Sequence, residues 1–222
     1  MYKFSLDDFL GCFQPILSCI GTTMWLTFAT FLISLVLAIG IALITRSKNK
    51  VIDAFFKLWI SLFRGTPLIC QLFLFVYGVF PNIPGIKNMS STGHAILCLS
   101  LSFSAYMSET IRGAILSIDK GQQEACYAIG MSKMQGMRRI IIPQAIQAAV
   151  PALSNNFLDV FKGTALTSMV GIMDIMLRAK MIAQKGLRFI ETYLCVLLIY
   201  WVINLAFVEI QKRIERYSRG KF

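Results

Sequence analysis

The sequence predicts an all-α integral membrane protein of five transmembrane helices, with its N-terminus outside and its C-terminus inside. Three observations carry this expectation. Of the 222 residues, 56% are hydrophobic and only 15% charged, against about 25% charged in soluble domains, which excludes a soluble globular enzyme. Long stretches hold no charge at all, and a charge at the centre of a crossing costs about 2.5 to 3.5 kcal/mol. The 22 Lys and Arg against 11 Asp and Glu leave a net charge of +11. Such an excess suits nucleic acid, an acidic partner or the inner face of a membrane, and its placement along the chain selects the last.

A crossing takes about 20 apolar residues, and the whole chain, 1–222, reads as one transmembrane domain. Residues 9–45 are free of charge; their most apolar part, 28–44, is too long for a removable signal peptide and lacks a small-residue cleavage pattern. Helix 1 is placed over residues 17–45. The charge-free stretches 65–86 and 88–108 give helix 2, over 58–80, and helix 3, over 92–113. Residues 140–158 give helix 4, over 141–162, an unusual one containing Pro143, Pro151 and the polar run Ser154, Asn155, Asn156. Residues 192–208 give helix 5, over 190–212, with Tyr193, Tyr200 and Trp201 suited to a membrane boundary.

Loops rich in Lys and Arg stay in the cytoplasm. With the N-terminus outside, the inner segments hold Arg46, Lys48, Lys50 and Lys57, then Arg112, Lys120, Lys133, Arg138 and Arg139, then Lys212, Arg213, Arg216, Arg219 and Lys221. The outer ones hold half as many: Lys3, Lys87, Lys162, Arg178, Lys180, Lys185 and Arg188. Four of these outer charges crowd into residues 163–191, where an amphipathic, partly re-entrant stretch is expected. Cysteines 12, 19, 70, 98, 126 and 195 form no C-x-x-C pair and read as small hydrophobes. The single His94 cannot build a multi-His metal site.

The longest inner connection, a loop over 114–140, is not composed like a linker. Residues 124–129 favour a helix with Glu124 in its first turn, and Gly130 is a natural stop. Met131, Met134 and Met137 then recur every three residues, an adaptable apolar stripe that must pack on the protein's own bundle or on a partner.

The loop resembles the EAA loop of permease subunits of ATP-binding cassette importers. Their pattern is E-A-A, three residues, G, nine residues, I, one residue, L-P. Glu124, Ala125 and Cys126, then Gly130, Ile140, Ile142 and Pro143 keep that spacing, with Cys126 for Ala and Ile142 for Leu. Further segments look like the polar amino acid branch of that family: Arg64-Gly65-Thr66-Pro67-Leu68, Tyr106-x-x-Glu109-x-x-Arg112-Gly113, Gly121-Gln122-x-Glu124, Ile142-Pro143-Gln144-Ala145 and Lys162-Gly163-Thr164-Ala165-Leu166. The resemblance spans residues 15–215. It implies a multi-pass protein of the bacterial cytoplasmic membrane and a coupling helix, between helices 3 and 4, docked in a groove of a cytoplasmic ATPase. It also implies an extracytoplasmic binding protein that delivers a polar amino acid, and a second copy of the permease or a similar subunit. Glu124, Ala125, Cys126, Gly130, Ile140 and Pro143 would carry the ATPase coupling. Glu124 would meet a basic residue, Ala125 and Cys126 would allow close approach, and Gly130 would make the turn.

No G-x-x-x-x-G-K-[ST] loop occurs, nor G-x-S-x-G, nor H-E-x-x-H. The expectation is a transport subunit that is not itself an enzyme and binds no cofactor; ATP and Mg would sit on the partner ATPase. The competing reading is a membrane scaffold or receptor whose basic loops bind a soluble partner.

Ionisable residues within a crossing are functional candidates. Asp159 follows Asn155 and Asn156 and has Lys162 three residues on; it either pairs with Lys162 or faces a central cavity and receives a cationic group. The resemblance assigns it no role. Glu109 and Arg112 repeat the spacing at the inner end of helix 3, where a structural pair is expected. Arg64 and Thr66 precede Pro67, whose freed backbone groups need partners. Thr164, Thr167 and Ser168 either line an outward gate or are solvated.

Overall fold

A computed structural model describes residues 4–45, 49–186 and 188–219. Lys3, Arg46, Lys48 and Lys221, used above for orientation, lie outside the described residues. All regular elements among the described residues are helical.

The chain begins with α1 (Leu6–Leu17), capped by the Ser5 hydroxyl, which accepts from the Asp8 amide at 3.2 Å. The charge-free run 9–45 is therefore not one helix. The chain breaks at Ser18 and Cys19 before α2 (Ile20–Ile44), because α1 packs instead on the distant C-terminal helix. Its Asp8 pairs with Arg188 at 3.1 Å, and the Ser5 amide donates to the buried Glu191 carboxylate at 2.9 Å.

The expected helix over 17–45 corresponds to α2, whereas the single helix expected over 58–80 is corrected. Helix α3 (Lys50–Gly65) ends at Thr66, and α4 (Leu68–Phe73) starts after Pro67, turned by 110°. Proline supplies no N–H to continue the ladder and disfavours helical backbone in the residue before it. The second segment runs on through a π turn, Leu74–Val79, and a 3₁₀ turn, Phe80–Asn82.

Helix α5 (Ser91–Leu116) is the axis of the bundle. At its start the ring of His94 lies 2.8 Å from the Ile86 carbonyl and ties down the preceding loop. Helix α2 presents Thr23, Thr27, Thr30 and Ser34 at helical spacing, all fully buried. Thr27 donates back to the Thr23 carbonyl at 2.8 Å, and Ser34 donates across to the Ser100 carbonyl of α5 at 3.3 Å. Small hydroxyl residues let helix backbones approach where lipid supplies no hydrophobic drive between helices.

The inner connection holds α6 (Lys120–Ala128) and α7 (Lys133–Gly136). A π turn, Met137–Ile141, leads into α8 (Ile142–Gly163), with Pro143 in the first turn, where its missing N–H costs nothing. A 3₁₀ segment, Thr164–Val170, follows, then α9 (Ile175–Gly186), bent 51° from the preceding run, and α10 (Phe189–Arg219). The amphipathic stretch expected within 163–191 is α9, whose Ile175, Ala179 and Ala183 form one fully buried face.

Two cores result. One joins α2, α4, α5 and α8 through Leu26, Leu72, Leu99, Met107 and Val160; the other joins α1, α9 and α10 through Ile16, Ile175, Ala179 and Cys195. All six cysteines are free, and all but Cys70 are buried. By length and apolarity, Ile20–Ile44 and Phe189–Arg216 are each long enough to cross a membrane, and the two bent pairs pass when each is taken as one span.

Candidate functional site

The turn at Pro67 opens a cleft between the α3–α4 corner, α5 and α8. Its volume is about 210 Å³, and it is lined by Phe63, Thr66, Leu68, Ser102, Phe103, Tyr106, Asn156 and Asp159. Thr66 is held by its own hydroxyl, which donates to the Leu62 carbonyl at 2.8 Å. Asn156 accepts the Thr110 hydroxyl of α5 at 2.9 Å, which orients its amide. On the other side, Gly163 lets α8 close on Phe103, since a Cβ there would stand 2.7 Å from the ring's Cζ. One wall is aromatic and aliphatic; the rest offers hydroxyl, amide and carboxylate groups.

Asp159 is the only ionisable carboxylate among these lining residues. It pairs with Lys162 at 3.1 Å, but the two side chains are 55% and 61% exposed, so the pair contributes at most about 1 kcal/mol. A cationic ligand group could replace Lys162 at small cost.

Next to the cleft along α5, Glu109 takes two hydrogen bonds from Arg112, at 2.9 Å from Nε and 2.6 Å from Nη2. Arg64 approaches the same carboxylate at 3.6 Å, and its guanidinium lies 5.7 Å from the centre of the Tyr106 ring. The Tyr106 hydroxyl donates to the Arg64 carbonyl at 3.4 Å. Tyr106 thus separates the cleft from a paired charge cluster.

Of the residues expected on a substrate path, the structure brings Thr66, Asn156 and Asp159 together, with Lys162 beside them and Arg64 and Glu109 in the adjoining cluster. Asn155 points elsewhere, accepting from Gln211 of α10 at 3.5 Å. Thr164 and Thr167 are fully buried, and their hydroxyls return to the Phe161 and Thr164 carbonyls, each at 2.7 Å. Ser168 does the same toward Ala165 at 2.6 Å. None of the three is solvated. Phe63, Ser102, Phe103 and Tyr106 were not anticipated as lining residues, although Ser102, Phe103 and Tyr106 lie within four residues on one face of α5.

The second feature is the inner hairpin. Asp119 caps α6 by accepting from the Gly121 amide at 2.6 Å. The helix ends at Gly130, with φ +78°, where the Met131 amide returns to the Cys126 carbonyl at 2.9 Å, a left-handed stop that glycine adopts without strain. Ser132 and Gln135 cap α7 reciprocally. Cys126 is buried against Gly136, where a Cβ would stand 3.2 Å from its own Cβ; the small pair lets α6 lie on α7. Glu124 and Ala125 point outward. Tyr127, Ile129 and Met134 are 49%, 77% and 67% exposed, while Met131, Met137, Ile140 and Pro143 are half-buried. The methionine stripe therefore divides, two residues turned partly inward and one outward.

Comparison with known proteins places these features in context. The family model described as binding-protein-dependent transport system inner membrane component matches residues 33–219. The probable amino-acid ABC transporter permease protein PatM of Vibrio harveyi is 41% identical over 211 residues, 94% of this chain and 93% of its own. The probable amino-acid permease protein YxeN of Bacillus subtilis is 38% identical over 207 residues, 93% and 92% of the two chains. The L-cystine transport system permease protein TcyB of the same organism is 37% identical over 92% of this chain and 89% of its own. In solved structures, a chain of an amino acid ABC transporter crystallised with histidines superposes with a TM-score of 0.89 at 31% identity, covering 97% of this chain and all of that one. A chain of the inward-facing methionine transporter MetNI, 18% identical with a TM-score of 0.69 over 90% and 96% of the two chains, shares the fold. The chain is a helical, membrane-spanning member of the binding-protein-dependent transport system inner membrane components, the permease subunits of ATP-binding cassette transporters.

Proposed function

We propose that this chain is the permease subunit of an ATP-driven, binding-protein-dependent importer of polar amino acids, working by alternating access across the cytoplasmic membrane. The observation that carries the reading is the cleft. A space of about 210 Å³ suits one amino acid, and its hydroxyl, amide and carboxylate groups gathered against an aromatic wall match a small zwitterion with a polar side chain. Several relatives are named as amino-acid permeases.

In this reading Asp159 receives an ammonium or cationic side chain, displacing Lys162, while Thr66 and Asn156 orient the polar backbone of the substrate. The Arg64–Glu109–Arg112 cluster closes the inner end of the path beneath Tyr106. The hairpin of α6 and α7 is the docking surface for a cytoplasmic ATPase. Glu124 offers a charge, Ala125 a close approach, and Tyr127, Ile129 and Met134 an apolar contact, while Cys126, Gly130, Ile140 and Pro143 set the geometry that joins the hairpin to α8. ATP and Mg belong to that partner. A single subunit is too small to enclose a path, so a second copy or a paralogous permease completes it. Five crossings with the N-terminus outside put the hairpin on the ATPase side.

The test is reconstitution in proteoliposomes with its partner ATPase and binding protein, measuring ATP-dependent uptake of labelled arginine, lysine, histidine, glutamine and cystine. Uptake of at least one is expected. Uptake of none, by a complex that hydrolyses ATP and docks its binding protein, refutes the substrate class.

A further inference from the structure

The corner between α3 and α4 leaves more backbone acceptors than its own helices satisfy. Pro67 has no N–H, so carbonyls in the last turn of α3 lose their usual partners. A side chain from the next helix replaces them. Gln71, buried one turn into α4, directs Nε2 to the Phe63 carbonyl at 2.9 Å, the Thr66 carbonyl at 3.1 Å and the Thr66 hydroxyl at 2.8 Å. Its Oε1 accepts the hydroxyl of Ser102 from α5. An amide has two hydrogens, so both are committed, one of them shared.

Gln71 does not line the cleft, but Phe63, Thr66 and Ser102 all do. It touches the wall from behind at three points, Phe63 and Thr66 at the end of α3 and Ser102 on α5. We propose that Gln71 is the positioning residue of the cleft: by clamping the α3–α4 corner to Ser102, it fixes where Thr66 and Phe63 stand relative to Asn156 and Asp159, without contacting substrate itself. The inference rests on the reading of the cleft as the amino acid site.

The physical reason is the low-dielectric surroundings. Methionine fills nearly the same volume as glutamine but leaves two carbonyls and the Ser102 hydroxyl without this partner. Buried polar groups left unpaired are expensive. The corner then turns until its carbonyls find other donors, and the cleft wall moves with it. Ser102 has a second acceptor, the Cys98 carbonyl at 3.0 Å, so loss of its hydroxyl is the milder perturbation.

The corner angle is read without substrate in the assembled permease–ATPase complex. Spin labels at Leu58→Cys and Leu74→Cys, both exposed and on either side of the corner, are placed in a Cys70→Ser background, which removes the one exposed thiol. Double electron–electron resonance then gives the distance distribution. Gln71→Met is expected to shift and broaden it. Ser102→Ala shifts it in the same direction, Ser102→Thr keeps the parent distribution, and the Gln71→Met/Ser102→Ala double variant goes no further than Gln71→Met. In proteoliposomes, Gln71→Met raises the half-saturating concentration for uptake of labelled L-arginine or L-cystine about tenfold with the maximal rate kept. A parent-like distribution in Gln71→Met overturns the proposal. Should that variant not assemble, a parent-like distribution in Ser102→Ala overturns it. Absence of amino acid uptake by the unmodified complex refutes the substrate reading instead and leaves the distance measurement to decide the clamp.

Discussion

Gly130 allows a clean test of the hairpin, because backbone strain alone distinguishes its variants. Its φ is +78°, and a Cβ built there meets nothing within 4 Å, so a larger residue clashes with no neighbour. The left-handed conformation costs a non-glycine residue about 1 to 2 kcal/mol, while asparagine tolerates it better and a β-branched residue worse. An undocked hairpin relaxes to escape the strain; a hairpin gripped by the ATPase in this conformation does not. The whole penalty therefore falls on docking. Gly130→Ala is expected to weaken binding of the ATPase by about 5- to 30-fold, Gly130→Asn less and Gly130→Val more. The assay is a titration of labelled ATPase onto the permease in nanodiscs, with uptake measured in parallel. Equal affinity for the glycine, alanine and valine forms would falsify the claim that this turn is the docked conformation.

Three further outcomes follow from the same geometry. Asp159→Asn removes a pair whose members are more than half exposed, so the thermal stability of the purified complex changes by less than about 1 kcal/mol; uptake of cationic amino acids falls more than uptake of neutral ones, and equal rates for both classes return Asp159 to a structural pair. Glu124→Lys, on an outward-facing position, leaves the permease folded by circular dichroism but abolishes co-purification of the ATPase; undiminished co-purification removes Glu124 from the interface. Gly163→Ala sets a Cβ 2.7 Å from the Phe103 ring. Its overpacking cost of about 1 to 3 kcal/mol exceeds the 0.5 to about 1 kcal/mol that alanine gains over glycine in a helix, so the melting temperature in detergent falls. A rise would show that Phe103 yields freely.

Much of the hairpin was legible because its signals are local. Gly130 at a stop and Pro143 at a start each act through their own backbone, and their spacing is fixed by the chain. Glu124, expected in a first turn, stands in the second instead, because the Asp119 cap starts α6 at Lys120. The corner at Pro67 was hidden for the opposite reason. Residues 65–86 carry no charge, and hydropathy does not distinguish a straight apolar helix from one turned by 110°. Pro67 marked the place, but the partner that stabilises the turn, Ser102, lies 31 residues beyond Gln71. Hydropathy is equally silent on α1, which precedes the helix expected over 17–45; the pairing of Asp8 with Arg188, a contact across most of the chain, holds it on α10. Among the candidate residues, those on α8 could be placed on a helix but not on a face. Adjacent Asn155 and Asn156 look toward α10 and α5 respectively, as neighbours on a helix must.

The hydroxyl seam between α2 and α5 bears on how the chain reaches its membrane. Ser100, Ser102, Ser104 and Ser108 of α5 are all buried, and a segment so rich in hydroxyls gains little from leaving an aqueous translocon for lipid. Its natural partners, Thr30 and Ser34 on α2, are synthesised about 70 residues earlier. The pairing makes α2 the expected docking surface for α5: the more apolar helix is made first, and the hydroxyl-rich one that follows finds its hydrogen-bond partners already there.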